Sequence, residues 1–210
     1  AKSVEVTQKN KEYQGFLRYL EMVAAEYGYM GAFVSNEEGV ITVSTFEKIV
    51  GNNISKTDYF RNAIKGKTFT TGVVPSETPL LNEYGELEVD LPTMLVAAPL
   101  KDSDENIIGV VALRIHLGIL SNLMLSNKFG KTGETYLVNK DGFMLTESRF
   151  SKHLKKEGII QKRSALELRL VNPETGELTT GIKQCIAGIN GSDANGYKEY
   201  GGILVLGVSR

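Results

Sequence analysis

The residues that could do catalysis or hold a metal are few in this chain and lie far apart. The two histidines are His116 and His153, and the one cysteine is Cys185. A metal site needs several converging ligands, and a cysteine nucleophile needs a base beside it. The acidic residues are scattered, so no carboxylate pair is marked for acid–base work. We therefore predict no metal, no cofactor and no catalytic site, and we interpret Cys185 as a small core residue.

One short segment resembles part of a nucleotide-binding loop. Gly130-Lys131-Thr132 has the order of residues that ends a phosphate-binding loop. That loop also needs a glycine at the position where Leu125 stands. We therefore interpret the segment as an ordinary turn. The formal net charge of −1 likewise argues against a nucleic-acid partner, which usually needs a basic surface.

A pattern of aromatic, apolar and turn-forming residues occurs twice. Residues 33–41 read FVSNEEGVI, and residues 136–144 read YLVNKDGFM. In each copy an apolar strand enters a polar turn, and Gly39 or Gly142 takes the position that needs a positive φ. The pattern predicts a β-hairpin at both places. Two such hairpins, about 100 residues apart, indicate two copies of one sheet-based module.

The spacing of apolar residues predicts a mixed chain of helices and strands. Helices are predicted at 3–28, from a cap at Thr57 or Asp58 to Gly66, at 117–127 and at 179–189. Further strands are predicted at 68–75, 93–100, 107–116, 195–200 and 203–209. Residues 76–92 contain two prolines and a glycine and are predicted as a long loop, and residues 191–196 (GSDANG) are predicted as a turn.

No run of about 18 apolar residues exists, so we predict no transmembrane segment within this sequence. The chain begins with Ala1 rather than Met, which is typical of a part excised from a longer protein. Membrane segments on either side of it in the parent protein remain compatible with the sequence.

Four segments resemble the double Cache family of sensor domains, and they occur in the order expected for that family. The segments are 58–67 (DYFRNAIKGK), 99–102 with 108–115 (PLKD and IGVVALRI), 129–142 (FGKTGETYLVNKDG) and 196–201 (GYKEYG). The resemblance covers nearly the whole chain. It implies an α+β fold in which a long N-terminal helix is followed by two PAS-like modules, each an antiparallel sheet with flanking helices.

The resemblance also implies a division of the chain. Residues 1–30 would be a stalk helix, 31–116 the membrane-distal PAS-like (Cache) module, 117–130 a connecting helix and 131–210 the membrane-proximal PAS-like module. A tryptophan-bearing strand usually closes the second module in this family, and this chain has no tryptophan. We therefore expect that strand to be trimmed, disordered or replaced.

The function implied by the resemblance is extracytoplasmic sensing of a small molecule in a bacterial or archaeal transmembrane receptor. The receptor would be a histidine kinase, a chemoreceptor or a cyclase, and the ligand would bind in the distal module. Pairing through the N-terminal helix would give a homodimer. The alternative is an interaction or dimerisation domain that binds no ligand and signals through a partner protein.

Ligand contacts can be carried over from the family at a few positions. An aromatic pair that borders the ligand in related sensors corresponds to Tyr59 and Phe60. Members that bind amino acids or amines carry an arginine where Thr57 stands, or an aspartate where Arg114 stands. Since Arg114 would repel an ammonium group and attract a carboxylate, we expect a small anionic ligand.

Other residues are expected near the same pocket. Alternation along the strand places Arg114 and His116 on one face, but the sequence leaves open which face meets the pocket. Residues expected to add positive potential or to line that side of the pocket are Lys56, Arg61, Ser76, Glu77 and Met94.

The segment 152–169 carries an excess of basic residues. Its bases are Lys152, Lys155, Lys156, Lys162, Arg163 and Arg169, and its acids are Glu157 and Glu167. A solvated face explains such a run. The resemblance places the second module near a membrane, where these basic residues could instead attract anionic lipid headgroups.

Overall fold

The structure is a computed structural model that describes residues 11–76, 79–82, 86–127 and 130–210. The chain forms two compact units, the first ending at His116 and the second beginning at Leu117. The start of the helix predicted from residue 3 lies outside the described residues. Within the described ranges, no helix is both long and apolar enough to cross a membrane.

The first unit is an antiparallel sheet with helices on its two faces, as predicted. Its elements are α1 (Lys11–Glu26), β1 (Tyr29–Ser35), β2 (Ile41–Ser44), α2 (Asp58–Ala63), β3 (Phe69–Thr70), β4 (Val74–Pro75), β5 (Leu80–Leu81), β6 (Leu87–Glu88), β7 (Pro92–Lys101) and β8 (Ile107–His116). The strand order is β2-β1-β8-β7-β3, and β4 also pairs with β7. The strand predicted at 68–75 is therefore two short strands, β3 and β4, and the predicted loop 76–92 contains the small hairpin β5–β6.

The two faces of the main sheet bury different apolar clusters. On one face, which we call the α2 face, Phe33, Leu95 and Ala112 pack with Phe60 and Ala63 of α2. On the other face, which we call the α1 face, Val34 and Val111 pack with Tyr13, Leu17 and Leu20 of α1. Since side chains alternate along a strand, these clusters assign every strand residue to one face.

Helix α2 begins where the sequence predicts it. Thr57 has an extended backbone, and its Oγ1 accepts a hydrogen bond from the Phe60 amide at 3.4 Å. The same hydroxyl donates to the Ile54 carbonyl at 2.8 Å. Thr57 rather than Asp58 is therefore the N-cap of α2. The cap fixes the start of the helix and thereby the directions of the Tyr59 and Phe60 side chains.

The repeated pattern folds into the same turn at both places. Asn36 Oδ1 accepts from the Val40 amide at 2.8 Å, and Asn139 Oδ1 accepts from the Phe143 amide at 2.8 Å. The asparagine carbonyl in each copy accepts from the Gly39 or Gly142 amide at 3.1 Å. Those glycines have φ values of 80° and 82°. The first copy joins β1 to β2, whereas the second closes only an isolated bridge between Val138 and Met144.

The second unit is a helix-rich body with one two-stranded ribbon. Its elements are α3 (Gly118–Ser126), α4 (Ser151–Lys156), α5 (Thr180–Ile186), β9 (Gly191–Lys198) and β10 (Leu204–Ser209). Its core contains Met144, Leu154, Leu170, Ile182 and Tyr200.

Three details of the second unit differ from the sequence predictions. Helix α4 was not predicted, because a single buried residue, Leu154, gives no helical period. The segment predicted as a turn at 191–196 forms the first six residues of β9, and the pairing of β9 with β10 is irregular between Val205 and Gly207. Cys185 is half-buried rather than in the core, and its Sγ lies 3.4 Å from the Arg210 carbonyl oxygen.

Candidate functional site

Arg114 lies on the α2 face of the first unit. It stands on β8 between Gly31 of β1 and Leu95 of β7. Ala112, two residues before it, is fully buried against the Phe60 cluster. Arg114 and His116 therefore share the face that carries α2.

The guanidinium of Arg114 is held by a buried hydroxyl. Its Nη1 donates to Thr93 Oγ1 at 3.2 Å, and Thr93 is fully buried. Thr93 is the register partner of His116 across the β7–β8 pair. The arginine side chain thus extends toward the end of the sheet where His116 lies. Thr93 was not predicted, because only the strand register brings it to Arg114.

The two aromatic residues at the start of α2 differ in burial. Phe60 is 5% exposed and belongs to the Phe33–Leu95 cluster. Tyr59 is half-buried, and its ring stands edge-on to Phe33 with 6.3 Å between ring centroids. Phe60 is thereby committed to packing, while Tyr59 keeps part of its surface outside the core.

Two basic residues that flank the pair point to solvent. Lys56 is exposed, and Arg61 lies 4.0 Å from the Asp58 carboxylate with most of both side chains exposed. Such an exposed pair contributes little energy. These two residues supply positive potential near α2 rather than a contact inside the fold.

The remaining predicted residues do not gather on one side. Ser76 is buried, and its Oγ accepts from the Leu91 amide at 3.1 Å, which fixes the base of the β5–β6 segment. Met94 alternates with the buried Thr93 and Leu95, so it lies on the α1 face. Met94 is thus on the face opposite Arg114, and its contact with a ligand stays a prediction. Glu77 lies outside the described residues.

A cavity of about 680 Å³ opens at the end of the sheet where His116 stands. Its walls come from the last turn of α1, the start of β1, the segment after β2 and the β5–β6 hairpin. The lining residues are Ala24, Ala25, Gly28, Tyr29, Met30, Thr45, Phe46, Pro79, Leu80, Asn82, Leu87 and His116. Phe46 also packs against the cluster that holds Phe60 and Tyr59.

The cavity adds residues that the sequence did not mark. Its polar groups are Thr45, Asn82 and His116, and the rest of the lining is mainly apolar. None of the predicted ligand residues that the structure describes is in that lining. Arg114 is the nearest of them along the chain, two residues from His116 on the same face. A sequence signal for Asn82 or Leu87 is absent, because the hairpin that carries them has only two residues in each strand.

The second unit contains a polar cluster around Glu134. Glu134 accepts hydrogen bonds from the Tyr200 hydroxyl and, at 2.8 Å, from Ser148 Oγ. Burial and, to a smaller extent, the nearby Glu134 charge together raise the pKa of Glu199 to about 7. Burial also raises the pKa of Tyr136, whose ring is edge-on to Tyr200. The cluster joins the segment before the second repeated turn to the β9–β10 ribbon.

No group of three or more His, Cys, Asp or Glu residues in the described ranges is arranged to hold a metal ion. His116 and His153 lie in different compact units.

Comparison with known proteins gives the fold. No protein-family model matches the chain, and no curated protein matches it. A domain of a sensory box/GGDEF family protein from Vibrio parahaemolyticus is similar in structure, with a TM-score of 0.52, 17% identity and coverage of 91% of this chain and 76% of that one. The sensor domain of the Vibrio cholerae histidine kinase DctB gives a TM-score of 0.46 and 13% identity, covering 94% and 70% of the two chains. The ligand-binding domain of the Campylobacter jejuni chemoreceptor Tlp3, in complex with L-valine, gives a TM-score of 0.48 and 15% identity. The match covers 75% of this chain and 60% of that one.

The likeness to the Vibrio parahaemolyticus domain shows the fold. The predicted α+β fold of PAS-like type is thereby confirmed. The other two scores are below 0.5, and no argument rests on them. The chain spans only 52% of the extracellular domain of a histidine kinase that it also matches. What those whole proteins do is therefore not carried over to this chain.

Proposed function

We propose that this chain is the extracytoplasmic small-molecule sensing domain of a transmembrane signalling receptor, with the ligand in the first unit. The receptor would be a histidine kinase, a chemoreceptor or a cyclase, and the domain itself would catalyse no reaction. The observation that carries the proposal is the 680 Å³ cavity at the His116 end of the sheet. That volume lies within the usual range for small-molecule sites, about 300–1,000 Å³.

The lining supports a small ligand with one apolar part and one polar end. Met30, Phe46, Leu80 and Leu87 supply apolar walls, while Asn82 and His116 supply hydrogen-bonding groups. The α2 face beside this cavity carries the guanidinium of Arg114. A carboxylate is the group that such a donor binds best, because the guanidinium carries a permanent charge and pairs of parallel N–H donors. The proposed ligand is therefore a small carboxylate.

The position of the cavity supports a mechanism of population shift. One wall is the last turn of α1, through Ala24 and Ala25, with Gly28 just after it, and another wall is the β5–β6 hairpin. A ligand that contacts both walls favours the arrangement in which they lie closest. Since α1 is the element that would lead toward a membrane, its displacement would carry the signal. The cavity argues against the alternative of a domain that binds no ligand.

Pairing of two copies through α1 is part of the same proposal. Phe16, Tyr19 and Met22 are 37%, 55% and 60% exposed, although α1 buries Tyr13 and Leu20 against its own sheet. Exposed apolar residues at helical spacing favour helix–helix contact. Sedimentation velocity would test the pairing: replacing Tyr19 and Met22 by glutamate should give a monomer at concentrations where the unchanged chain is a dimer.

The ligand proposal is tested by thermal-shift screening of small carboxylates, amines and amino acids. Carboxylates should raise the melting temperature by mass action. Arg114→Met should weaken the best carboxylate by about 10-fold or more, because a charged hydrogen bond contributes about 1.5–3 kcal/mol. Arg18→Met is the matched control, since it removes an exposed arginine that does not line the cavity. Stabilisation by amines alone would overturn the charge argument.

A second pair of variants tests whether the ligand binds in the cavity. Ala25→Trp should fill the cavity and abolish the rise in melting temperature caused by the ligand. Ala187→Trp adds the same ring at an exposed alanine of the second unit and should leave the shift intact. Equal effects of the two substitutions would place the ligand elsewhere.

A further inference from the structure

The second unit has a basic surface on helix α4 and the turn that follows it. We define this basic surface by Lys152, Lys155, Lys156 and Ile159, all of which are exposed. The three lysines lie within two turns of one helix, and Leu154 on the opposite side is buried in the core. On a chain whose formal net charge is −1, three neighbouring lysines form a local concentration of positive charge.

Two of the three acids in residues 147–169 accept hydrogen bonds from the loop after α4. Glu147 Oε2 accepts from Ser151 Oγ at 3.0 Å and from the Ser164 amide at 3.2 Å. Its other oxygen accepts from the Ala165 amide at 3.3 Å. This carboxylate is therefore used to hold the loop after α4.

Glu167 is used in the same way. Its carboxylate accepts from the amides of Gln161 at 2.8 Å, Lys162 at 3.0 Å and Arg163 at 3.3 Å. Of the acids between Glu147 and Arg169, this leaves Glu157 as the one whose carboxylate makes no such loop contact among the described residues. Two of the three carboxylates thus hold the loop, while Glu157 is exposed beside the three lysines, so the basic surface keeps an excess of positive charge.

A glycine turn places an apolar side chain beside these amines. Gly158 ends α4 with a φ of 72°, and the Ile159 amide donates to the Leu154 carbonyl at 2.9 Å. Ile159 is 47% exposed, whereas the next residue, Ile160, is buried. The surface therefore combines three ammonium groups with one apolar side chain that is half in solvent.

We propose that the basic surface binds the headgroup layer of an anionic lipid bilayer. Lysines on flexible stems attract anionic headgroups, each contributing about 1 kcal/mol near such a surface. Ile159 can enter the boundary between headgroups and acyl chains, where apolar side chains of surface-bound helices lie. A soluble polyanion would use the lysines but would gain little from Ile159, and this difference favours lipid.

This proposal goes beyond ligand sensing, and its test does not depend on whether the first unit binds a ligand. The full chain is sedimented with vesicles of phosphatidylcholine, or of phosphatidylcholine with about one third phosphatidylglycerol. Binding to the anionic vesicles, with none to the neutral ones and a loss on raising the salt concentration, is the expected result.

Two variants assign the binding to this surface. Changing Lys152, Lys155 and Lys156 together to glutamine should lower the partition of the chain onto anionic vesicles by about 100-fold. A loss of about 10-fold is the smallest that agrees with the proposal. Ile159→Ser should lower it several-fold without changing retention on heparin, a soluble polyanion. The matched control removes three exposed lysines of the first unit by Lys48→Gln, Lys65→Gln and Lys67→Gln, and should bind as the unchanged chain does.

Three outcomes would overturn the proposal. The first is the absence of binding to anionic vesicles at low salt. The second is an equal loss in the control triple variant, which would mean that only net charge matters. The third is an Ile159→Ser variant that binds vesicles as well as the unchanged chain, which would identify the surface as a site for soluble polyanions.

Discussion

Arg114 Nη1 donates a 3.2 Å hydrogen bond to Thr93 Oγ1, and this bond joins β8 to β7 on the face that carries α2. Thr93 is fully buried, and its hydroxyl also lies 3.4 Å from the Val74 carbonyl oxygen. A permanent positive charge is therefore oriented by a residue that has no contact with solvent. The end of the sheet where the cavity opens carries a charged group whose direction is set by the fold.

Thr93→Val should destabilise the protein, because it keeps the shape of the side chain but removes the acceptor for a charged donor. We expect the free energy of unfolding to fall by about 1–2 kcal/mol in urea denaturation. Thr42→Val is the control, since the exposed Thr42 also donates to a backbone carbonyl, that of Val34 at 3.3 Å. An equal loss in both variants would mean that the Arg114 contact adds nothing.

The two aromatic residues of α2 should respond differently to truncation. Phe60→Ala opens a void in the core and should lower the free energy of unfolding by about 3–5 kcal/mol. Tyr59→Ala should lower it by less, about 1–2 kcal/mol, because Tyr59 is only half-buried. Chemical denaturation of both variants measures the difference. A larger loss for Tyr59→Ala would show that Tyr59, not Phe60, is the core residue.

The glycines of the two repeated turns should not tolerate alanine equally. Both have φ near +80°, which costs an alanine about 1–2 kcal/mol. A Cβ at Gly39 would also lie 2.7 Å from the Ser55 amide nitrogen, whereas at Gly142 it would meet the Leu178 side chain. Because backbone cannot move aside as a side chain can, Gly39→Ala should cost more in urea denaturation.

Gly15 provides the control for these substitutions. It lies inside α1, and a Cβ there would meet no atom within 4 Å. Gly15→Ala should therefore raise the free energy of unfolding by about 1 kcal/mol, from helix propensity. If Gly142→Ala costs as much as Gly39→Ala, the side chain of Leu178 is as fixed as the backbone of Ser55.

The second unit should lose stability as the pH rises toward neutrality. Burial first, and then the charge of Glu134, raise the pKa of Glu199 from 4.5 to about 7. The folded state keeps a proton that the unfolded chain releases at lower pH. The stabilising contribution is therefore complete below about pH 4.5 and is lost as the pH rises through 7.

The size of this effect should be about 1–2 kcal/mol, since Glu199 is partly open to solvent and its interactions are screened. Unfolding free energies measured between pH 5 and 8 test it. Glu199→Gln should flatten the profile, and the exposed Glu37→Gln of the first unit should leave it unchanged. A Glu199→Gln variant with the slope of the unchanged chain would assign the pH dependence to another group.

Features that depend on near neighbours in the chain were predicted from the sequence. The cap at Thr57, the asparagine–glycine turns at Asn36 and Asn139, and the long strands β7 and β8 all follow from side chains within a few residues of one another. The hydrogen bonds of the cap and of the turns are local, and the two strands are marked by runs of apolar and β-branched residues, so residue type and spacing indicate them. The α+β fold with two PAS-like modules was expected from the resemblance of four segments to double Cache domains.

The candidate site was not determined in this way. Arg114 was predicted from the sequence, but its side of the sheet, its bond to Thr93 and the position of Met94 on the opposite face follow from the register of β7 and β8. The cavity wall combines the end of α1 with a hairpin of two-residue strands, and neither has a periodic signal. Sequence alone thus determined the elements and the charge at position 114. The tertiary structure decided what that charge faces, because a contact between distant residues depends on strand register and packing, which local residue patterns do not encode.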